Sequence, residues 1–215
     1  SGTAKADEID DLTIGGDAYY KTISGSTVGG TAYPGSPTPP YVPLPISTST
    51  IATWKNDAAD GGVINGNCGT GGDAQCDTFP LLLGPKRVNG NFDIAGGQTL
   101  TVDGTLYVTG NINIGAGGGI GTVKCAVAYL GNSCVIIADG YIRLRGGSIL
   151  GGSGTAGSFL MLLSTKTGCL GNGGSGCTTN DSAIALENQV DGAIFYATDS
   201  LVDVSNGAFV SAVVG

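Results

Sequence analysis

Apolar and polar residues alternate in short runs along the second half of the chain. Successive side chains of a β-strand point to opposite faces, so each run predicts a short strand with one buried face. Only one to four turn residues separate one run from the next. The period-2 pairs include Leu100 with Val102, Leu106 with Val108, and Ile112 with Ile114.

The same region also repeats itself. Gly90-Asn-Phe-Asp-Ile-Ala-Gly-Gly recurs as Gly110-Asn-Ile-Asn-Ile-Gly-Ala-Gly. A second recurring motif is Asp-Gly followed by alternating apolar residues, and it begins at Asp103, Asp139 and Asp191. A repeat of about 20 residues with roughly three short strands is typical of a parallel β-solenoid. We therefore predict an all-β fold, a right-handed parallel β-helix (β-solenoid), over residues 83–215.

One segment ahead of the solenoid has a helical pattern. Ser47, Ser49 or Thr50 can cap its start, and Gly61-Gly62 end it. Ile51 and Trp54 share a face, so we predict one short N-terminal capping helix that covers the open end of the sheet stack. An alternative for Trp54 is a role as a ligand platform, although large aromatic residues are mostly buried.

The remaining segments predict two further regions. Residues 1–45 are expected to form an extended N-terminal lead-in with short strands and a Pro-rich strap, since residues 34–45 contain six of the eight prolines. Residues 46–82 are expected to hold the capping helix and a disulfide loop. No run of 18 apolar residues occurs, so no membrane span is predicted in this chain.

Composition narrows the function classes. The chain has 40 glycines among 215 residues, roughly three times the ordinary usage. Its formal net charge is −8, which argues against nucleic acid and anionic membranes as partners. It contains no histidine, which excludes Ser-His-Asp and Cys-His catalysis and histidine metal sites.

The cysteines fall into three close pairs, and the first and third pairs bracket a Gly-rich stretch. We predict three local disulfides, because each would close a loop that has no core to hold it. Metal ligation is the competing interpretation, but no C-x-x-C spacing is present. Disulfides indicate an oxidising, extracytoplasmic compartment. The predicted pairs are Cys68 with Cys76, Cys125 with Cys134, and Cys169 with Cys177.

Other polar clusters give weaker signals. The acidic residues 1–12 suggest either calcium binding or a solvated terminus, and the EF-hand pattern is absent. Arg143 and Arg145 are predicted to face solvent. Asp199 and Asp203 are interpreted as lying on one strand about 13 Å apart, too far for a catalytic pair. A Thr ladder of the kind found in ice-binding solenoids does not follow the coil period. We predict no catalytic, cofactor or metal site.

Many short motifs follow one another in a fixed order from about residue 12 to the end. They are Gly15-Gly-Asp-Ala-Tyr-Tyr, Thr22-Ile-Ser-Gly-Ser-Thr-Val, Leu44-Pro-Ile-Ser, Trp54-Lys, Leu83-Gly-Pro-Lys, Leu106-Tyr-Val-Thr-Gly-Asn-Ile, Val135-Ile-Ile-Ala-Asp-Gly and Gly152-Ser-Gly-Thr-Ala-Gly-Ser-Phe-Leu-Met-Leu-Leu-Ser. In this order they resemble the C-terminal β-solenoid domain, of unknown function, of bacterial type IV pilus-associated, pilin-like surface proteins. In that family a hydrophobic pilin-type helix precedes the domain and further strands follow the equivalent of Gly215; neither is in this chain.

The resemblance implies a non-enzymatic structural or adhesive subunit, extracellular and on the bacterial cell surface. Its expected partners are other pilus or filament subunits, including self-association through the solenoid ends, with a surface or glycan ligand as a further candidate. The apolar C-terminal stretch is the candidate assembly edge, because unprotected strands invite pairing. A β-helix carbohydrate-active enzyme or carbohydrate-binding module is the alternative. The residues of the candidate edge are Phe209, Val210, Val213 and Val214.

Overall fold

The computed structural model describes residues 2–38, 45–69, 71–117, 119–168, 182–187, 193–204 and 212–214. The chain divides into two compact units, Ser1–Pro43 and Leu44–Gly215. Each unit is built from short parallel strands.

The first unit is a small parallel solenoid of its own. Its sheets run in the orders β1-β4-β7, β2-β5 and β3-β6, and every pairing is parallel with the same spacing along the chain. The side chains of Ile9, Ile14, Ala18 and Tyr20 form its buried core. Its strands are β1 (Ala4–Lys5), β2 (Glu8–Asp10), β3 (Thr13–Ile14), β4 (Ala18–Tyr20), β5 (Thr22–Ser24), β6 (Thr27–Val28) and β7 (Ala32–Pro34).

This architecture differs from the extended lead-in predicted for residues 1–45. The short strands are present, but they stack into coils because Thr13-Ile-Gly-Gly recurs one coil later as Thr27-Val-Gly-Gly. Pro34 lies in the edge strand β7, where a missing N–H group is tolerated. The centre of the predicted Pro-rich strap, residues 39–44, lies outside the described residues.

The second unit begins with a helix and continues as strands. One 3-10 turn, Val127–Tyr129, interrupts them. The elements are α1 (Thr48–Asp60), β8 (Val63–Asn65), β9 (Cys68–Gly69), β10 (Leu81–Leu83), β11 (Lys86–Asn89), β12 (Phe92–Ala95), β13 (Thr99–Val102), β14 (Leu106–Val108), β15 (Ile112–Ala116), β16 (Thr122–Cys125), β17 (Cys134–Ala138), β18 (Ile142–Leu144), β19 (Ile149–Gly151), β20 (Leu160–Thr167), β21 (Ile184–Leu186), β22 (Ala193–Asp199), β23 (Val202–Val204) and β24 (Ala212–Val214).

These strands form three parallel sheets. The four-stranded sheet has the order β10-β13-β16-β19, and the six-stranded sheet has the order β23-β21-β18-β15-β12-β9. The seven-stranded sheet has the order β24-β22-β20-β17-β14-β11-β8. The predicted all-β parallel solenoid with one helix is therefore confirmed. It begins at β8, one coil ahead of the predicted boundary at residue 83, because residues 63–69 already pair with the next coil.

Buried side chains stack in register along the inside of the coils. In the six-stranded sheet Phe92 pairs with Ile112, which pairs with Ile142, which pairs with Ile184. All four are at most 1% exposed. The alternation seen in the sequence therefore sorts residues into an apolar interior and an outward face.

A Gly-Asn corner explains the repeat that begins at Gly90 and Gly110. Gly90 packs so closely on the preceding coil that a Cβ atom would clash with the Gly66 carbonyl oxygen, and at Gly110 a Cβ atom would lie 2.6 Å from the Gly90 oxygen. The next residue, Asn91, accepts a hydrogen bond through Oδ1 from the Asn111 backbone N–H at 2.9 Å. The Asp-Gly motif does not occur at one fixed corner of the coil. Asp103 follows a strand of the four-stranded sheet, whereas Asp139 follows a strand of the seven-stranded sheet.

The predicted helix is present, but it does not cover the open end of the solenoid. The Ser47 side chain caps it by accepting the Thr50 N–H at 3.1 Å. Ile51 is 4% exposed and packs on side chains that project from the outer face of the seven-stranded sheet. These side chains belong to four successive coils, so the helix covers a lateral face. They are Tyr107, Ile137, Leu163 and Tyr196.

Candidate functional site

Two of the three predicted disulfides are confirmed. Cys68 and Cys76 are bonded with their Cα atoms 5.2 Å apart, and Cys125 and Cys134 with theirs 5.6 Å apart. The pair Cys169–Cys177 lies outside the described residues. The Cys125–Cys134 bond closes the loop that contains the 3-10 turn, and it joins the end of β16 to the start of β17.

A charged cluster joins the helix to the sheet. Asp139 accepts hydrogen bonds from Lys55 Nζ at 2.5 Å, from Tyr107 Oη at 2.5 Å and from Thr165 Oγ1 at 2.8 Å. The Lys55 ammonium also lies 5.0 Å from the centre of the Tyr107 ring. We call these four residues the Asp139 cluster.

The electrostatics of this cluster favour a structural ion pair. Burial alone would raise the pKa of Asp139, but the three donors and the Lys55 charge outweigh it, so that this pKa is lowered. Burial and the hydrogen bond to Asp139 raise the pKa of Tyr107 to about 12. At neutral pH a charged Asp139 and a neutral Tyr107 thus both hold the helix on the sheet. Sequence patterns did not reveal the cluster, although the outward position of Tyr107 follows from the alternation in β14.

Two grooves flank the helix. One has a volume of about 230 Å³ and is lined by Thr48, Ile51, Ala52, Lys55, Thr165, Thr198 and Asp199. The other, also about 230 Å³, is lined by Trp54, Thr105, Tyr129, Ser133, Cys134, Val135 and Met161. We call the second one the Trp54 groove. Trp54 is half-buried beside it, so the structure does not place this residue over an end of the solenoid.

The outer side of the four-stranded sheet is a third candidate surface. Its outward positions include Leu82 and Ile149, which are 61% and 50% exposed. Ile149 lines a shallow groove of about 380 Å³ together with Thr101 and Val127, and Leu82 pairs in register with Thr101. We call this surface, with Lys124 at its centre, the four-stranded face.

Aromatic rings stack on the surface of the first unit. Tyr19 and Tyr33 pair in register, and their ring centres lie 4.5 Å apart at an angle of 7°. Lys5, one coil earlier, places its ammonium 5.0 Å from the centre of the Tyr19 ring. The sequence contained a signal for this stack, since Ala18-Tyr19 recurs as Ala32-Tyr33.

The acidic N-terminal segment folds into the first unit. Asp7 pairs with Lys21 at 3.2 Å, and Ile9 between its acidic neighbours is buried. Within the described ranges, no group of three or more acidic or cysteine residues is arranged to hold a metal ion. Calcium binding by this segment stays an untested alternative.

The other predicted site residues are dispersed. Arg143 stacks on Tyr141 at 4.7 Å, and Arg145 forms an ion pair with Glu187 at 3.1 Å. Asp199 ends β22 of the seven-stranded sheet, whereas Asp203 lies in β23 of the six-stranded sheet. The interpretation that they share one strand is therefore wrong, because the chain turns a corner between them.

The candidate assembly edge is described only in part. Val213 and Val214 belong to β24, which is the last strand of the seven-stranded sheet and pairs with β22. Phe209 and Val210 lie outside the described residues. The assembly role of this edge stays a prediction.

Comparisons with known proteins add no relative. No protein-family model, no curated protein and no solved structure matches the chain. Among the described residues, no helix has the length and apolar character needed to cross a membrane.

Proposed function

We propose that the chain is a non-enzymatic structural or adhesive subunit of an extracellular, pilus-associated assembly on a bacterial cell surface. The observation that carries the proposal is the exposed apolar surface of the four-stranded face. The resemblance of the sequence to pilus-associated domains supports the same function.

The four-stranded face has the character of a protein contact surface. Ile149 and Val127, which are 50% and 74% exposed, line its groove together. Leu82, 61% exposed, lies on the opposite edge strand of the same sheet. Large apolar side chains grouped around a groove mark interaction sites more often than isolated ones do. Burial of such a surface in an assembly would stabilise it by about 25 cal/mol for each Å² removed from water.

A second copy of the chain fits the charge of this face. Lys124 is exposed at its centre, between Thr101 and Gly151 in register. The chain has a formal net charge of −8, so its surface is acidic overall. An acidic surface of a neighbouring subunit would complement Lys124, which favours a heterologous contact of the kind that builds filaments.

The disulfides support a compartment outside the cytoplasm. Both described bonds close short loops, and such bonds persist in oxidising surroundings outside the cytoplasm. The edge strand β24 supports a second contact, because a terminal strand can pair with a strand of another chain.

The experiment compares Ile149→Lys with Val63→Lys. Both residues are exposed β-strand residues, but Val63 lies on the seven-stranded sheet. We expect Ile149→Lys to abolish assembly measured by light scattering and electron microscopy, and to remove the chain from filaments labelled with immunogold on the producing cells. Val63→Lys should assemble normally.

Two results would contradict the proposal. Normal filament labelling with folded Ile149→Lys would exclude the four-stranded face as the contact. Turnover of a polysaccharide panel that depends on a carboxylate of the chain would favour the carbohydrate-active enzyme instead.

A further inference from the structure

The Trp54 groove has the size and lining of a site for a small chemical group. Trp54 and Tyr129 supply aromatic walls, and Val135 with Met161 supplies an aliphatic floor. Its volume of about 230 Å³ lies below the range of roughly 300–1,000 Å³ that is typical for drug-sized ligands. The groove therefore suits a headgroup or a single side chain.

Both walls of the groove are held in place before any ligand arrives. Trp54 stands on α1 next to Lys55, whose ion pair with Asp139 fixes the helix on the sheet. Tyr129 ends the 3-10 turn that the Cys125–Cys134 disulfide closes. A preorganised site loses little conformational entropy on binding.

One acidic residue lies near the Tyr129 side of the groove. The Ala126 N–H donates to the Val102 carbonyl oxygen at 2.8 Å, so the next residue, the exposed Asp103, lies at the foot of the turn that bears Tyr129. Burial first, and then the Asp103 charge, raises the pKa of Tyr129. A negative charge close to Tyr129, in a groove that a second aromatic residue also lines, favours a cation.

Elsewhere in this protein tyrosine rings already carry a cation of the chain. Lys5 lies over Tyr19 at 5.0 Å, Arg143 over Tyr141 at 4.7 Å, and Lys55 and Arg87 both over Tyr107. For Trp54 and Tyr129, no lysine or arginine of the described residues takes this position. The aromatic residues of the groove are therefore open to a cation from outside.

The lining combines two hydroxyl residues, Thr105 and Ser133, with the apolar side chains of Val135 and Met161, and the apolar part favours a methylated cation. A primary ammonium is strongly hydrated and needs hydrogen-bond acceptors around it. A quaternary ammonium carries methyl groups that pack on Val135 and Met161 and has no N–H group to satisfy. We propose that the Trp54 groove binds a quaternary ammonium group, the chemistry of a choline headgroup. The site lies on the seven-stranded sheet and does not depend on the assembly proposed above.

The test uses the single tryptophan of the chain as its reporter. Choline chloride is titrated into the protein at constant ionic strength, and the fluorescence of Trp54 is followed. The matched control is 3,3-dimethyl-1-butanol, which replaces the charged nitrogen by carbon. We expect saturable binding of choline. The neutral isostere should bind with an affinity lower by about tenfold or more.

Variants assign the response to the groove. Tyr129→Leu should weaken choline binding by about tenfold, and Tyr129→Phe should retain it, because the ring rather than the hydroxyl group makes the contact. Asp103→Asn should weaken binding about two- to threefold, with a loss that becomes smaller at high salt. Tyr33→Leu removes an exposed ring of the first unit and should change nothing.

Two further measurements distinguish a quaternary ammonium on a membrane lipid from a free or glycan-linked one, and either of these from a sugar ligand. Retention on phosphatidylcholine vesicles would indicate a membrane headgroup, whereas binding of choline and phosphocholine without retention would indicate a free or glycan-linked one. Equal responses to choline and its isostere, no saturable response to choline, or saturable binding of hexoses alone would each overturn the proposal.

Discussion

The side-chain oxygen of Asn91 accepts a hydrogen bond from the backbone N–H of Asn111, one coil further along, at 2.9 Å. Asn67 does the same for the N–H of Asn91 at 2.9 Å, and Asn111 for that of Tyr141 at 3.0 Å. These bonds tie successive coils together at a corner where the sheet ladder is interrupted.

Replacement of Asn91 tests this ladder. Asn91→Ala leaves the Asn111 N–H without its partner, and we expect the free energy of unfolding to fall by about 1 kcal/mol. Asn91→Asp keeps an acceptor oxygen, so its free energy of unfolding should fall by less. Urea denaturation followed by circular dichroism measures both, and equal losses for the two variants would mean that the acceptor is not what matters.

Substitution of Gly110 tests the backbone packing of the same corner. A Cβ atom there would clash with Asn91 Oδ1 and would lie 2.6 Å from the Gly90 carbonyl oxygen. We expect Gly110→Ala to destabilise the second unit by about 2 kcal/mol or more, since overpacking forces the backbone to move. The matched control is Gly131→Ala, whose new Cβ atom would have its nearest neighbour 3.7 Å away. Similar melting temperatures for the two variants would contradict the close approach.

The lowered pKa of Asp139 predicts a pH dependence. A carboxyl group with a depressed pKa stabilises the fold above its unfolded pKa, and this contribution disappears as the pH falls through the folded value. Asp139→Asn should therefore be less stable than the wild type at pH 5 to 7, by about 1–2 kcal/mol for its charged hydrogen bonds. The gap should begin to narrow below about pH 4, near the unfolded pKa, and should close once the pH has fallen below the lowered folded pKa of Asp139.

Asp57→Asn is the control for this measurement. Asp57 is exposed on the same helix, and its replacement should change the unfolding free energy little at any pH. A gap for Asp139→Asn that persists unchanged in acid would show that the charge of Asp139 does not hold the helix.

The hydroxyl group of Tyr107 should lose its proton at a higher pH than an ordinary tyrosine. Its pKa is raised to about 12, so the neutral form stabilises the fold below pH 10, and this contribution is lost as the pH rises towards 12. Tyr107→Phe should remove the component of phenolate absorbance that appears near pH 12. A titration curve that the substitution leaves unchanged in this range would contradict the hydrogen bond to Asp139.

The disulfides give a prediction on stability and one on connectivity. The double variant Cys125→Ser and Cys134→Ser should lose about 2.5 kcal/mol of unfolding free energy, the chain-entropy value for a loop of this length. Urea denaturation measures this loss.

Peptide mapping without reductant should recover Cys169 linked to Cys177 as well as the two described bonds. A free thiol at either position would show that the third predicted pair is wrong.

The sequence predicted the features that each coil repeats. The pairs Leu100 with Val102 and Ile112 with Ile114 alternate because one face of every strand is buried, and Gly90-Asn91 recurs because each coil turns the same corner. The shorter repeat of the first unit is equally visible in the sequence, but the prediction of an extended lead-in with short strands does not use it.

The position of the helix could not be predicted from such patterns. An apolar stripe with Ile51 shows that a helix is buried, but not whether it packs on an end or a side of the stack. The helix packs on a row of outward side chains that runs from Tyr107 to Tyr196. These residues come from four coils, and only the register of strand pairing places them next to one another. The Trp54 groove depends on the same placement, and its other wall, Tyr129, comes from a loop whose fold is fixed by a disulfide.

Gly66, Gly90, Gly110 and Gly140 stack on one another at the Gly-Asn corner as a glycine column, which stays in register although the coils differ in length. The stretch of chain from Gly90 to Gly110 is shorter than the stretch from Gly110 to Gly140, yet both steps keep the same corner. Extra residues bulge out between β16 and β17, away from this column. A whole coil from one glycine to the next could thus be duplicated or removed as a cassette, and a loop of new length could be grafted within a cassette, at the position of the loop between β16 and β17, without a change of register.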